Sequence, residues 1–296
     1  MKKAVVTGAA GYTGINVTRE LIDRGYEVYA VVRPGSDHNI RLNDIESTLH
    51  RIELDQSEYC RLYELIDEEC DDFYHLLWSG VRDDISDQME YLNCCIQAIE
   101  CSAKIGCKRF IGIGSQAEYG YYDGIITENI PLDPINAYGA AKIGALYLSR
   151  RRAQQLGMEW VWGRLFSLYG GYQPDSFLLP HLVRCLKNNL DINVSSCEQY
   201  WDYLHVKDAA CAIIDIGIKG HSGEVYNIAY GDNRTLKDYV EEAKNCFQYT
   251  GHIIYGDKAD PFVSFRPDIS KIYDHTGWQP KIAFREGVHL LAYEED

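Results

Sequence analysis

The first 32 residues admit few folds. "KAVVT" (3–7) reads as a buried strand, "GAAGYTG" places Gly8, Gly11 and Gly14 at intervals of three, "INVTRELIDRG" has a helical apolar period, and "YEVYAVV" (26–32) reads as a second buried strand. This is a βαβ unit. Its glycine turn lies where the helix starts, so free amides can carry a pyrophosphate and no Cβ blocks the approach. The spacing is looser than the two-and-three of the common dinucleotide fingerprint. It is the position directly after a Val-rich strand that points to a dinucleotide.

The alternation continues. "RIEL" (51–54), "FYHLLW" (73–78), "RFIGIG" (109–114) and "EWVWGRL" (159–165) read as strands, and segments at 57–69, 84–105 and 136–156 read as helices. Strands separated by helices predict an α/β chain with a doubly wound parallel sheet. Residues 1–166 are assigned to it, with a return segment near 203–220, and 167–296 to a smaller C-terminal substrate-binding lobe. In the 84–105 helix Ile85, Met89, Leu92, Ile96, Ile99 and Ala103 form one stripe, which Tyr91, Cys95 and Ala98 widen. So wide a stripe suggests contacts on two sides, the sheet and a partner subunit.

The net charge of −15 would repel nucleic acid and anionic lipid, and "SRRRA" (149–153) is too short to reverse that. A small anionic ligand stays compatible with it. The ten cysteines show no CxxC pair or metal-like cluster, so they read as buried reduced thiols and no metal is expected. With no secretory leader and no apolar run near 18 residues, the protein is expected in the cytoplasm, with no membrane partner.

Two tyrosines stand four residues before a lysine: Tyr138 with Lys142 in "INAYGAAKIG", and Tyr203 with Lys207 in "WDYLHVKD". With 23 tyrosines in the chain, about one such pair is expected by chance. Ser115 follows the fifth strand, on the rim where such sheets bind ligand. Tyr138 and Lys142 would share one face in the first turns of the next helix, above that rim. Tyr203 and Lys207 read as part of a strand, with side chains roughly 13 Å apart and no comparable serine, which makes this pair the decoy.

Which nicotinamide cofactor binds depends on the end of the second strand, where a carboxylate would accept bonds from the ribose 2′-hydroxyl. Val32 and Arg33 stand there instead. A guanidinium suits a 2′-phosphate, with Ser36 as a second contact, so NADP is favoured over NAD. Asp55 either meets the adenine edge or caps the third strand.

Taken together, "TGAAGYTG" (7–14), "HLLW" (75–78), "GSQAEYG" (114–120), "YGAAK" (138–142), "RLFSLYG" (164–170), "WDYLHVKD" (201–208) and "GWQP" (277–280) resemble the extended short-chain dehydrogenase/reductase family, also called the NAD-dependent epimerase/dehydratase family, in its nucleotide-sugar branch. The resemblance implies a Rossmann domain, a nucleotide-diphosphate sugar substrate and a homodimer through the 84–105 and 136–156 helices. It implies that Tyr138 exchanges a proton, Lys142 grips the nicotinamide ribose and Ser115 orients the substrate, and that Tyr12, Thr13 and Leu77 join the three glycines at the cofactor. A neighbouring ammonium would lower the phenol from its ordinary value near 10.

Dehydratases of this kind follow the active hydroxyl with Asp and Glu. Here Gln116 and Ala117 stand in those places, and Glu118, one step late, reads as a loop carboxylate, so dehydration is disfavoured. Gln116 remains a substrate contact. The missing ribose acid favours a reductase that releases NADP over an epimerase that retains NAD, and "GSQAEYG" resembles reductases of 4-keto-6-deoxyhexoses. A protein that binds NADP without turnover is the alternative from another class. At the substrate, Ser167 stands where an asparagine is usual, Gly171 where a proline is, and Trp201 where an arginine often meets the diphosphate. Arg266 reads as a phosphate contact or a surface ion pair, and Phe177 and Leu178 as base-pocket lining or core.

Overall fold

Seven parallel strands carry the molecule. The computed structural model describes residues 1–45, 48–79, 81–174, 176–256 and 264–293. In chain order the elements are β1 (Lys3–Thr7), α1 (Tyr12–Asp23), β2 (Glu27–Val32), β3 (Leu49–Glu53), β4 (Asp72–His75), α2 (Ile85–Ile105), β5 (Arg109–Ser115), α3 (Ala137–Leu156) and β6 (Glu159–Leu165). There follow β7 (Ser167–Tyr169), α4 (Leu178–Lys187), β8 (Ile192–Val194), β9 (Tyr200–Trp201) and β10 (Tyr203–His205). The chain then returns through α5 (Val206–Lys219) to β11 (Val225–Ile228), the seventh strand of the sheet. The remaining elements are β12 (Arg234–Thr235), α6 (Leu236–Lys244), β13 (Ile253–Tyr255), α7 (Ser270–Thr276) and α8 (Phe284–Tyr293).

The strand order is β3-β2-β1-β4-β5-β6-β11, with every pair parallel. The order reverses between β1 and β4, which opens a crevice at the carboxyl ends of those strands. Alternation along β1 decides which face each side chain serves. Val6 packs with Ile15 and Leu21 of α1 and Ile213 and Ile216 of α5, whereas Val5 packs with Cys95 and Ile99 of α2 and Leu146 of α3. A separate core in the C-terminal half joins Leu182 of α4, Tyr239 of α6 and Val288 of α8.

Local chemistry sets the helix ends near the crevice. Asp84 caps α2 through the Asp87 amide, and Gly106 ends it in the left-handed region at φ 88°. The Asn136 side chain accepts from the Gly139 amide at 2.9 Å and starts α3.

Four local expectations are corrected. The helix read at 57–69 is a 3₁₀ segment, Gln56–Glu64, because its buried residues Tyr59 and Leu62 recur at three and Asp55 caps it. The strand read through Trp78 ends at His75, since β1 itself stops at Thr7 and the Leu77 amide turns to the Thr7 hydroxyl at 3.4 Å. The buried face of α2 is Tyr91, Cys94, Cys95, Ala98, Ile99, Ser102 and Ile105. Ile85 (73%) and Met89 (55%), which headed the sequence stripe, are exposed, as are Tyr147 (57%) and Leu148 (52%) on α3. Finally, Tyr203 lies on β10 and Lys207 on α5, so that pair does not share one strand; Tyr203 is buried against Tyr169, Tyr239 and Phe284.

Candidate active site

The glycine turn is built for close approach. Gly8 has φ 68°, and a Cβ on it would lie 3.0 Å from the Leu77 backbone; one on Gly14 would lie 2.0 Å from the Gly8 carbonyl oxygen. Gly11 precedes α1 with no side chain capping the helix and no acidic residue in the first turn, leaving that end to an anion. A cavity of about 300 Å³ lies against it, lined by Gly8, Gly11, Tyr12 and Leu77 among others. Thr13 and Gly14 continue into α1 behind that wall.

At the far end the cavity wall carries Arg33, Ser36, His38, Asn39 and Arg41, and no carboxylate lines it among the described residues. Arg41 donates to the Ala10 carbonyl at 3.1 Å and lies 4.7 Å from the Tyr172 ring, so a tyrosine from the C-terminal half closes this end. Burial lowers the His38 imidazole below its ordinary value, assisted by Arg41 and Arg33. The Asp55 carboxylate accepts from the amide (3.0 Å) and hydroxyl (2.7 Å) of Ser57, and these bonds lower its pKa; the cavity is lined instead by its neighbours Leu54 and Gln56. These residues fit the adenosine and pyrophosphate half of a dinucleotide.

Ser115, Tyr138 and Lys142 come together beside the crevice. Ser115 ends β5, its Oγ accepts from the Ala117 amide at 3.2 Å, and its hydroxyl acts to lower the pKa of the Tyr138 phenol. The Tyr138 amide donates to the Arg82 carbonyl at 2.9 Å, and the Arg82 guanidinium lies 5.0 Å from the phenol ring. One sequence expectation is corrected here. Burial raises the Tyr138 phenol above its ordinary value, opposed by the Ser115 hydroxyl and Arg82, and Lys142 is not among the groups that lower it. The Lys142 ammonium is 5.8 Å from the Tyr138 ring, donates to the Ile113 carbonyl at 2.7 Å, and sits 3.8 Å from the Trp78 ring. With no carboxylate ion pair among the described residues, burial pushes it down to about 7. His75, bonded through Nδ1 to the Thr7 hydroxyl at 2.9 Å, is pushed down to about 3 by burial and then by Lys142, and is therefore neutral.

Glu118 is not a loop carboxylate. It is fully buried and accepts from the Ser115 amide (2.9 Å), Trp162 Nε1 (3.1 Å) and Arg164 Nε (2.6 Å). The signal was present as a Ser-x-x-Glu capping box, Ser115 with Glu118. Its task is to fix the end of β5, and with all three donors turned on it, the carboxylate has no free edge for proton transfer to a ligand.

The residues assigned to substrate are dispersed. Gln116 follows Ser115 directly, and its Oε1 is buried without a hydrogen-bond partner among the described residues. Ser167 opens β7, opposite Tyr203. Phe177 precedes α4 and is exposed, and Leu178 packs on the C-terminal core. Trp201 packs between Tyr203 and Phe265, with its indole nitrogen buried and unpartnered among the described residues. Arg266 donates to Asp123 at 2.9 Å and covers the Tyr200 ring at 4.8 Å. Sequence reasoning gave Trp78 no role although it closes "HLLW", and it missed Arg82, Arg41 and Tyr172, which no motif marks and only the folding of distant loops brings to the cleft.

Such a crevice and hydroxyl pair define an α/β nucleotide-binding enzyme class, and comparison with known proteins places the chain within it. The model of the NAD dependent epimerase/dehydratase family matches residues 4–229, and the chain belongs to that family. It is 27% identical over 255 residues to the dTDP-6-deoxy-L-talose 4-dehydrogenase (NAD(+)) of Aggregatibacter actinomycetemcomitans, covering 80% of this chain and 88% of that one. Among solved structures, a UDP-N-acetylglucosamine 4-epimerase from Methanobrevibacter ruminantium M1 superposes with a TM-score of 0.86 at 21% identity, covering 98% of this chain and 97% of that one. RMD from Pseudomonas aeruginosa, solved with NADPH, superposes with a TM-score of 0.82 at 21% identity, covering 99% and 98%. At such identities the two structures speak for the fold alone. No helix among the described residues is long and apolar enough to cross a membrane.

Proposed function

We propose that this chain reduces the 4-keto group of a nucleotide-linked 6-deoxyhexose with NADPH, Tyr138 donating the proton. The observation that carries the reading is the placing of two hydroxyls beside the glycine crevice, Ser115 at the end of β5 and Tyr138 in the first turn of α3, with the Arg82 guanidinium 5.0 Å from the phenol ring. Gly8, Gly11, Tyr12, Thr13, Gly14 and Leu77 would hold the dinucleotide, and Lys142 its ribose. Bound there, the dinucleotide supplies the hydride. The chain does the rest. Ser115 turns its hydroxyl to the substrate oxygen, Tyr138 gives that oxygen its proton, and the Arg82 guanidinium supports the phenolate left behind. Gln116, whose buried oxygen has no partner among the described residues, is placed to accept from a sugar hydroxyl.

Arg33, Ser36, His38 and Arg41 around the far end of the cavity support NADP, since a 2′-phosphate would find cations and, among the described residues, no carboxylate there. The similarity to a dTDP-6-deoxy-L-talose 4-dehydrogenase supports chemistry at a sugar C4. Locking of Glu118 by Arg164 leaves no acid and base pair for dehydration. A second reading, 4-epimerisation, is favoured by the similarity to the UDP-glucose 4-epimerase of Corynebacterium glutamicum. The exposed apolar row of Ile85, Met89, Tyr147 and Leu148 supports a homodimer through α2 and α3.

The deciding experiment incubates purified protein with NADPH and a panel of nucleotide 4-keto-6-deoxy sugars. Loss of absorbance at the reduced-nicotinamide band supports reduction. Tightly held NAD in the purified protein, with interconversion of sugars and no added cofactor, replaces it with epimerisation; dinucleotide binding with no turnover of either kind leaves a sensor.

A further inference from the structure

The cavity against the glycine turn stops short of the chemistry. None of Ser115, Tyr138 and Lys142 lines it, and the wall at that end is Trp78 with Leu76, Leu77 and Ser79. The indole stands between the two. One face carries the Lys142 ammonium at 3.8 Å, and the ring meets Tyr138 edge-on at 6.4 Å and stacks on Tyr91 at 6.0 Å.

The indole is also latched. Trp78 Nε1 donates to Gln88 Oε1 at 2.9 Å, and the Gln88 amide donates to the Ser79 (3.3 Å) and Val81 (3.1 Å) carbonyls. Gln88 is buried on α2, so three bonds fix its orientation. Lys142 meanwhile has no carboxylate partner among the described residues, and the indole and the Ile113 carbonyl together replace its water.

We propose that Trp78 is the gate of the nicotinamide half of the site: it occupies Lys142 in the free protein, and a dinucleotide reaches Lys142 and Tyr138 only when the indole leaves. This rests on the reading of Lys142 as the residue that holds the nicotinamide ribose. A ligand confined to the adenosine half meets no gate. A full dinucleotide has to displace a buried cation–aromatic contact together with the Gln88 bond, and this lowers its affinity by the same factor.

The test is calorimetric titration of wild type, Trp78→Ala and Gln88→Leu with NADP and with 2′,5′-ADP. The two variants should bind NADP about tenfold tighter or more, with 2′,5′-ADP unchanged. In parallel, NADP should change the tryptophan emission of wild type, 2′,5′-ADP should not, and the change should vanish in Trp78→Phe. Weaker NADP binding by Trp78→Ala with 2′,5′-ADP unchanged makes the indole a wall the cofactor rests on and overturns the gate. Equal NADP affinity in all three proteins overturns it as well. Should Trp78→Ala fail to fold, Gln88→Leu alone decides, since it keeps the indole and removes only the latch. Tightened binding without turnover of any keto sugar leaves the gate standing and removes the proposed reaction instead.

Discussion

Replacing Glu118 by Gln separates a structural carboxylate from a catalytic one. The charge is fully buried, pairs with Arg164 at 2.6 Å, and receives two further donors, the Ser115 amide and Trp162 Nε1. An amide of the same shape leaves the Arg164 guanidinium buried without its counter-charge and turns an N–H group toward one of the three donors. Breaking one side of a buried pair costs about 3–5 kcal/mol. At about 2.1 cal/mol/K per residue, the unfolding entropy of this chain is about 0.6 kcal/mol/K, so the midpoint should fall by about 5–8 °C. Differential scanning calorimetry measures this, with guanidinium unfolding as a second reading. Because the capping box aims Ser115, the surviving folded protein should lose turnover roughly tenfold while keeping its pH profile. A midpoint within 1 °C of wild type, joined to a thousandfold loss of turnover, would mean that Glu118 moves protons, and the argument against dehydration would fall with it.

Tyr138→Phe removes the proposed acid and should cost about 10²–10⁴ in kcat, with NADP affinity within a few-fold of wild type; an active variant removes the acid role. Lys142→Met should stabilise the protein at pH 6. The lysine pKa is pushed from above 10 when unfolded to about 7 when folded, so the unfolded chain binds more protons between those values and stability rises with pH across that window. The advantage of the methionine variant should therefore be largest below pH 7 and fade toward pH 10, as followed by melting curves; a constant difference contradicts the burial argument. Arg33→Asp should weaken NADPH binding about tenfold or more and leave NADH binding the same or tighter, because a charge-assisted bond to a 2′-phosphate is lost. Met89→Glu together with Tyr147→Glu should yield a monomer by light scattering; an unchanged dimer places the interface elsewhere.

The local pieces of this protein were legible in the chain. Strand period, helix period and the glycines at 8, 11 and 14 are short-range properties, and they determine a βαβ start and a parallel sheet whatever follows. The Tyr138–Lys142 spacing could be placed on one helix because Asn136 caps that helix locally. Even Glu118 carried a local mark, its capping box with Ser115, although its burial did not show in the sequence.

What the tertiary structure decided was which side chains meet across the sheet. The stripe on α2 rotated toward Tyr91 and Cys95 because the face that packs is chosen by α3 and the 3₁₀ segment at 56–64, which no periodicity within α2 can report. Lys142 faces Trp78 rather than the phenol beside it, since the loop after β4 folds back against α3. A buried ammonium, a latched indole and a tyrosine pushed upward are sums over neighbours distant in the chain. Sequence spacing holds only the nearest terms of such sums, and desolvation, the largest one here, exists only once the chain has folded.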